Sequence, residues 1–566
     1  MQLKIPYGLS NFKDVATQHY TYIDKTNYIA ELEQVGKHLV FLRPRRFGKS
    51  LFLSSLWYYY DIAYKDEFDS IFGHLSIGKN PTPLKSSYQV LFLEFSGIST
   101  ESEAAIYRAF TTKIDLALRY NLKQYGYPET DIANVIAASS PHEKMEAFFN
   151  IVRGQKILLL IDEYDHFANS VLADNLQLFK GIVGKGGFVR SFYETLKTAT
   201  MTGAIDRLFI TGVTPMMLDS LTSGFNIGKN ISQYEAFNSM VGFTKAEVET
   251  LFQPLLEQQG IDEATLMADI KRWYNGYRFH SEATETIYNA NMVLYFLDNF
   301  DYKRCAYPKY MLDENIASDY GKILAMFNIG SRNENFAVLD ELLNQGEVIA
   351  QQRRKFDFDK GFDRDDFISL LAYMGFVSLN GETLSGEVFV IPNHVIRVLY
   401  FQYFKVELER INQIHVPDRP ILKAVEVLAL RNDIQPLVQE TAKVLQLLSN
   451  RDAMGMDEKH IKTLLLALLF QSPAYFIQSE RELNRHYPDI LLLERSPYKV
   501  NYQHLIELKY VKKSGKAAAW EAKRAEGIAQ VTAYLQLPEI ATLKQLSAWV
   551  FISDGEQLEA VAVDRA

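Results

Sequence analysis

Arg43-Pro44-Arg45-Arg46-Phe47-Gly48-Lys49-Ser50 follows the apolar run His38-Leu39-Val40-Phe41-Leu42 and leads into Leu51-Phe52-Leu53. The order reads as strand, loop, helix. A phosphate-binding loop needs backbone N–H groups converging at a helix N-terminus, a Lys that reaches the β/γ-phosphates, and a hydroxyl for the bridging Mg²⁺. Gly48, Lys49 and Ser50 supply that second half, and Arg45, Arg46, Phe47 and Leu51 complete the candidate nucleotide contacts. The first half departs from G-x-x-x-x-G-K-[ST], because Arg43 stands where the leading Gly should be and Pro44 lacks an amide donor. By itself the loop is equally a basic turn that opens an ordinary helix.

A second stretch complements it. Lys156-Ile157-Leu158-Leu159-Leu160-Ile161-Asp162-Glu163 is a continuous apolar strand ending in two carboxylates, as expected of a buried parallel strand that delivers acids to its C-terminal edge. In phosphoryl transfer the first, Asp162, would hold Mg²⁺ with Ser50, and the second, Glu163, would orient or deprotonate the attacking water. A buried strand capped by solvated acids is the plain alternative. Two complementary halves of one site favour ATP with Mg²⁺.

These words, with Tyr22-Ile23-Asp24-Lys25-Thr26 before them and Trp273 to Phe279 after, resemble the bacterial AAA-ATPase-like family that carries a PD-(D/E)XK nuclease domain at its C-terminus. The resemblance covers nearly the whole chain, and in that family an Arg replaces the leading Gly of the loop. It implies an N-terminal P-loop ATPase over residues 1–230, a helical lid over 231–300, a connector over 301–408 and a restriction-endonuclease-like α/β domain over 409–566.

Composition fits this plan. The chain has 566 residues, too many for one core. With 48% hydrophobic and 23% charged residues it is ordinary globular sequence. Its net charge of −9 argues against wholesale coating by nucleic acid, so such binding must be local. A single cysteine, Cys305, excludes an internal disulfide and fits a reducing cytoplasm. No signal-like N-terminus and no run of about eighteen apolar residues is present, so no membrane role is expected. The implied partners are nucleotide and nucleic acid, and a homo-oligomer is left open.

Along the chain, Leu3 to Gln34 carries Tyr7, Phe12, Tyr20 and Tyr22, any of which could meet the base or simply fill the core. Helical and strand patterns then alternate through Arg207-Leu208-Phe209-Ile210-Thr211-Gly212, which implies an α/β fold with a parallel sheet covered by helices on both faces. Thr211 ends its strand near the expected γ-phosphate, as a sensor hydroxyl or merely a terminator. Arg278 is a candidate phosphate reader, with Arg45 and Arg46 as competitors. A helix at Asp365 to Leu371 and a hairpin around Asn380-Gly381 suggest a winged-helix-like connector.

Tyr487-Pro488-Asp489-Ile490-Leu491-Leu492-Leu493-Glu494 and His504-Leu505-Ile506-Glu507-Leu508-Lys509 read as a second hairpin. Glu507 and Lys509 are two apart on a strand and share a face, and pairing can bring Asp489 beside Glu507. Two carboxylates there make a hard-oxygen site for Mg²⁺ or Mn²⁺, and Lys509 can help activate water or stabilise phosphate charge. The family resemblance adds Glu480 as a further acid near the metal. It also adds Gln530, with Tyr534, on a helix packed beside the nuclease sheet. Lys509, Lys512, Lys513, Lys516, Lys523 and Arg524 concentrate positive charge nearby, as a phosphate track requires. The reading is an ATPase coupled to a metal-dependent nuclease acting on DNA rather than RNA. Its rival is a nucleotide-switched regulator or scaffold whose nuclease fold binds without cutting.

Overall fold

The computed structural model describes residues 3–221, 224–257, 261–313, 327–358, 361–449, 457–479, 488–512 and 517–565. Two compact units divide the chain. The first takes Met1–Cys305 with Leu312–His394, and the second takes Ala306–Met311 with Val395–Ala566.

In the first unit, β1 (His38–Leu42), β2 (Gln89–Glu94), β3 (Ile157–Asp162), β4 (Ile205–Gly212) and the short β5 (Lys229–Asn230) form a parallel sheet in the order β2-β3-β4-β1-β5. All six residues of β3 are buried, which is why it carries a continuous apolar run rather than an alternating one. The loop-bearing β1 and the acid-bearing β3 are not neighbours; β4 lies between them, with Phe41 opposite Thr211 and Ile161 opposite Ile210. Helices cover the sheet, among them Lys49–Tyr60, whose Leu53, Leu56 and Tyr59 enter a core shared with Phe12, Phe72 and Phe209.

After the sheet come helices Lys245–Leu256, Glu263–Tyr274 and Ala290–Asn299, each started by a side-chain cap: Thr244 with Glu247 in a capping box, Asp262, and Asn289. This is the helical stretch expected of a lid. Beyond it, helix Arg332–Gln345, β6 (Glu347–Ala350), helix Arg364–Met374, β7 (Ser378–Thr383) and β8 (Gly386–Val390) build a three-stranded antiparallel sheet in the order β6-β8-β7. The chain order is that of a winged helix. Its hairpin does not turn at Asn380-Gly381, as the N-G pair suggests; the turn is at Leu384-Ser385, where Thr383 Oγ1 donates to Gly386 O and accepts from Ser385 N. Gly381, at φ +138°, instead takes a bulge where the register slips between Leu379 and Gly381.

Helix His394–Asn412 leads from the division at His394 into the second unit, followed by helices Asp418–Arg431, Gln435–Ser449 and Glu458–Leu469. Then β9 (Tyr475–Ser479), β10 (Ile490–Glu494) and β11 (Gln503–Tyr510) run antiparallel as a meander. Helix Ala517–Leu535 crosses over to β12 (Leu546–Ser553), parallel to β11, and β13 (Leu558–Val563) closes the edge antiparallel. Leu491 and Leu505 pair directly and join a core with Val531, Tyr534, Val550 and Ile552. Asp489, Glu507 and Lys509 have the same parity along their strands, so they belong to the face that helix Ala517–Leu535 covers.

Candidate functional sites

The loop after β1 is held from within. Lys49 Nζ donates to the carbonyls of Arg43 and Pro44, 3.0 Å each. Its ammonium is buried, and burial lowers its pKa against the opposing pull of Glu163 and Asp162. Gly48 sits at φ +97° with open space around its missing Cβ, so backbone conformation rather than crowding calls for glycine there. The outer edge of the loop is tied to chain beyond the sheet: Phe47 O accepts from Gly242 N at 2.9 Å and Arg46 O from Asn291 N at 3.1 Å. The Phe47 ring is buried edge-on against Tyr277 and Phe279.

Asp162 ends β3 and is 3% exposed. Burial pushes its pKa up to about 6, opposed by the hydrogen bond from the Ser50 hydroxyl and by the Lys49 charge. Ser50 and Asp162, predicted from separate words of the sequence, are therefore in contact. Glu163 follows at φ +47°, a left-handed conformation that costs a non-glycine residue about 1–3 kcal/mol. That turn separates the two acids: Asp162 is buried beside Ser50, whereas Glu163 lines a cavity of about 430 Å³. Arg45 to Phe52 line the same cavity, as do Pro6, Tyr22 and Ile23 of the leading segment and Val241, Phe243 and Leu251 beyond the sheet. Of the four leading aromatics, Tyr22 lines it; Phe12 stacks in the core on Phe72, and Tyr7 hydrogen-bonds Asp313.

Thr211 lies on β4 with its hydroxyl buried and without a hydrogen-bond partner. Arg278 does not line the cavity that Lys49 and Glu163 share. Its N–H donates to Ser378 Oγ at 2.8 Å, and it lines a separate cavity of about 30 Å³ with Pro44, Tyr277 and Phe279. The cause is the preceding turn at Gly276 (φ +102°), where a Cβ would lie 1.9 Å from Pro392 O, so the Trp273–Phe279 segment is pressed onto the winged module. Of the three arginines, Arg45 and Arg46 line the larger cavity. His166 and Asn291 also line it and were not singled out from sequence; His166 lies three residues beyond Glu163, close enough to have been noticed.

Arg43 explains the departure at the start of the loop. Its guanidinium is buried, donating to the carbonyls of Leu42 (2.9 Å), Ser232 (2.5 Å) and Phe237 (2.8 Å), and lies 4.4 Å and 4.0 Å from the Phe41 and Phe279 ring centres. Burial brings its pKa down to about 9. It anchors the loop from below and does not line the larger cavity.

In the second unit, the β10–β11 register sets Ile490 opposite Ile506, which carries Asp489 to the level of Glu507. Asp489 Oδ2 accepts from Leu508 N at 2.8 Å. Glu507 Oε1 accepts from Lys509 Nζ at 2.8 Å, while Glu507 Oε2 is buried without a partner. Burial, then the Asp489 charge, pushes the Glu507 carboxyl up to about 7. Burial works against charge on Lys509, but its hydrogen bond to Glu507 and the surrounding acids raise its pKa overall. Helix Ala517–Leu535 approaches closely at Gly527, where a Cβ would meet Val550 Cγ1 at 2.5 Å and Lys509 Cγ at 3.3 Å. The same helix carries Gln530, whose Oε1 is buried and unpaired. It also carries Tyr534, whose hydroxyl is pushed up to about 12 by burial and by the Glu507 and Asp489 charges.

Two residues of this site escaped the sequence reading. Glu458 Oε2 accepts from Tyr510 N at 3.2 Å, and burial raises its pKa near Lys509 and Asp489. Lys462, one helical turn on, is 5% exposed and places Nζ 3.7 Å from Asp489 Oδ1. The available signal was a lysine inside the apolar helix Ile461 to Phe470. Glu480, Tyr487, Lys513 and Lys516 lie outside the described residues. Of the remaining cations, Lys523 pairs with Glu526, and Arg524 with Glu521 and Glu559, so surface acids of the same unit already engage them. Among the described residues no group of three or more His, Cys, Asp or Glu converges as metal ligands. Asp489 and Glu507 are still a fitting pair for a hard divalent ion, since Glu507 Oε2 is a buried acceptor with nothing bound to it.

Residues 6–222 match the family model described as a predicted AAA-ATPase, and residues 456–562 match that of the PD-(D/E)XK nuclease superfamily. The chain thus carries an AAA-ATPase-like domain and a C-terminal PD-(D/E)XK nuclease superfamily domain. Among curated proteins it is similar to an uncharacterized protein in the vnfD 5' region of Azotobacter chroococcum mcd 1, 27% identical over 293 residues, 50% of each chain. The chain therefore spans about half the length of that relative. A solved structure, a Walker-type ATPase of Pyrococcus abyssi, aligns with a TM-score of 0.38 and 11% identity, covering 66% of this chain and 94% of that one. Among the described residues no helix is long and apolar enough to cross a membrane.

Proposed function

We propose that the chain binds and hydrolyses ATP in its first unit and that its second unit is a divalent-metal-dependent nuclease cleaving phosphodiester bonds, of DNA rather than RNA. The observation that carries the reading is the meeting of Asp489 and Glu507 across two strands beside Lys509. The family matches, the loop and the cavity beside Glu163 support the ATPase half.

In the first unit the base takes the apolar part of the cavity beside Tyr22, Ile23 and Phe243. The phosphates take the loop amides and Lys49, with Arg45 and Arg46 beside them. Ser50 and Asp162 would hold the Mg²⁺, which would supply charge neutralisation at the phosphates. Glu163 accepts the proton of the attacking water, and Thr211, one strand from Asp162, is the sensor hydroxyl. In the second unit Asp489 and Glu507 would hold Mg²⁺ or Mn²⁺, which would supply Lewis acidity toward the phosphate. Lys509 stabilises charge that builds on the phosphate oxygens, and Gln530 orients the nucleic acid or the water. Partners are nucleotide and nucleic acid, in the cytoplasm, with self-association to be determined by sedimentation.

Purified protein incubated with linear, circular and single-stranded DNA and with RNA, with and without ATP and with Mg²⁺ or Mn²⁺, tests this directly. Metal-dependent cleavage that responds to ATP is expected; no cleavage under any condition overturns the nuclease half. One observation favours a second reading, a nucleotide-switched regulator that binds without cutting. Each carboxylate of the pair already has a buried lysine beside it, Lys462 at Asp489 and Lys509 at Glu507. ATP-dependent retention of uncut nucleic acid would select it.

A further inference from the structure

Helix Glu458–Leu469 is buried along most of its length, and its apolar residues explain that burial. Lys462 does not fit the pattern. An ammonium at 5% exposure is unfavourable unless a charge answers it, and the Lys462 ammonium lies 3.7 Å from an Asp489 oxygen. The two oxygens of Asp489 are used differently. Oδ2 is engaged by the Leu508 N–H at 2.8 Å, a proper hydrogen bond. Oδ1 faces Lys462 Nζ at 3.7 Å, close enough for ion pairing and too long for a hydrogen bond. Oδ1 is therefore held by charge and remains sterically available as a ligand oxygen. On the other strand Lys509 answers Glu507, so the acid pair is balanced by two lysines before any divalent ion arrives.

We infer that Lys462 is a positioning residue that neutralises Asp489 in the metal-free protein and competes with the divalent ion there, so that it sets the ion's affinity. The inference rests on the reading of Asp489 and Glu507 as metal ligands and adds a residue outside the D…E-x-K pattern. A fixed positive charge 3.7 Å from a ligand oxygen repels an incoming dication strongly even at the moderate effective dielectric of a protein edge. Removing that charge should tighten binding by about tenfold or more. A lysine that served only packing would give the opposite result, since its loss would loosen the site.

The test is calorimetric titration of the full chain with MnCl₂ at pH 8, without nucleotide or nucleic acid, with Asp489→Ala as the reference that identifies the heat of this site. Lys462→Met and Lys462→Gln should each lower the Mn²⁺ dissociation constant by about tenfold or more. Lys462→Arg, which restores the charge, should return it toward the wild-type value. Thermal unfolding of each variant confirms that it is folded, and the glutamine variant serves if methionine is not tolerated. Unchanged or weaker Mn²⁺ binding in a folded neutral variant overturns the inference while leaving the metal site standing. If wild type and Asp489→Ala bind Mn²⁺ alike, no ion sits at Asp489, and the metal-site reading fails together with the role given to Lys462.

Discussion

Glu507→Gln should make the protein's stability less dependent on pH, and the size of the effect follows from where that carboxyl lies. Its pKa stands at about 7 in the folded chain against an ordinary 4.5, with burial the largest cause and the Asp489 charge next. Between those two values the folded state keeps a proton that the unfolded state has shed. Stability from this group is therefore fully present below about pH 4.5, falls as pH rises through the window, and stays low above about 7. The gap corresponds to about 3 kcal/mol of burial cost borne by the wild type at pH 8. Glutamine carries no such cost. The pairing with Lys509 needs no separate correction, because it strengthens only as Glu507 ionises and already holds the carboxyl below where burial and Asp489 alone would put it. For a unit of this size about 3 kcal/mol amounts to roughly 6–12 °C in Tm. The assay is thermal unfolding of wild type and variant from pH 4.5 to 8.5. The difference in Tm, variant minus wild type, should grow by that amount from the acid to the alkaline end. Saturating Mn²⁺ should flatten the wild-type curve, because the ion stabilises the deprotonated carboxylate. Parallel curves for the two proteins would refute the assignment of a buried, strained charge at Glu507.

Lys49→Ala should weaken ATP binding by about a hundredfold or more, measured by calorimetry, because it deletes the point charge for the β/γ-phosphates and strands the Arg43 and Pro44 carbonyls that Lys49 now satisfies. Undiminished affinity would mean that the loop is only a helix start. Glu163→Gln should bind ATP like wild type and lose about a hundredfold or more in turnover, since an amide cannot accept the water's proton; persistent phosphate release would identify another base. Asp489→Ala should lower divalent-dependent cleavage on the order of a thousandfold in a gel assay while ATP hydrolysis stays near wild type. Lys509→Ala should lower cleavage without the loss of Mn²⁺ affinity that Asp489→Ala brings. An Asp489→Ala protein that cuts as well as wild type would place the cleavage elsewhere.

What could be read ahead of the structure was whatever a single segment encodes. The runs before Arg43 and around Ile157–Asp162 are too apolar and too sharply ended to be anything but buried strands delivering polar ends to one edge. The Glu507–Leu508–Lys509 alternation likewise assigns faces by itself. What could not be read depends on contacts between distant segments. Glu458 and Lys462 reach Asp489 and Tyr510 only because one helix packs at the end of a sheet formed some thirty to fifty residues later. Arg278 is a candidate phosphate reader by sequence, and no single segment announces that its backbone N–H bonds Ser378 or that the turn at Gly276 lies against Pro392. Asn380-Gly381 has turn chemistry, but Gly381 spends its unusual φ on a bulge. A glycine announces an unusual backbone without saying which kind.

Arg43 joins these two kinds of information. A leading glycine lets the loop begin with its backbone close to neighbouring chain, whereas an arginine there must send a long cation somewhere. In this fold the charge goes under the loop, where the carbonyls of Leu42, Ser232 and Phe237 accept its protons and the Phe41 and Phe279 rings cover its faces. The strand end, the 232–237 segment and the Trp273–Phe279 segment are thereby tied together at one point. The consequence is confined to the underside. From Arg45 to Ser50 the loop still faces the cavity with Lys49 folded back on its own carbonyls. A phosphate entering that cavity can draw Lys49 away from the Arg43 and Pro44 carbonyls without disturbing the arginine beneath. Half the loop pattern can therefore be lost while the half that lines the cavity is kept, because anchoring and cavity lining fall on different parts of the same eight residues.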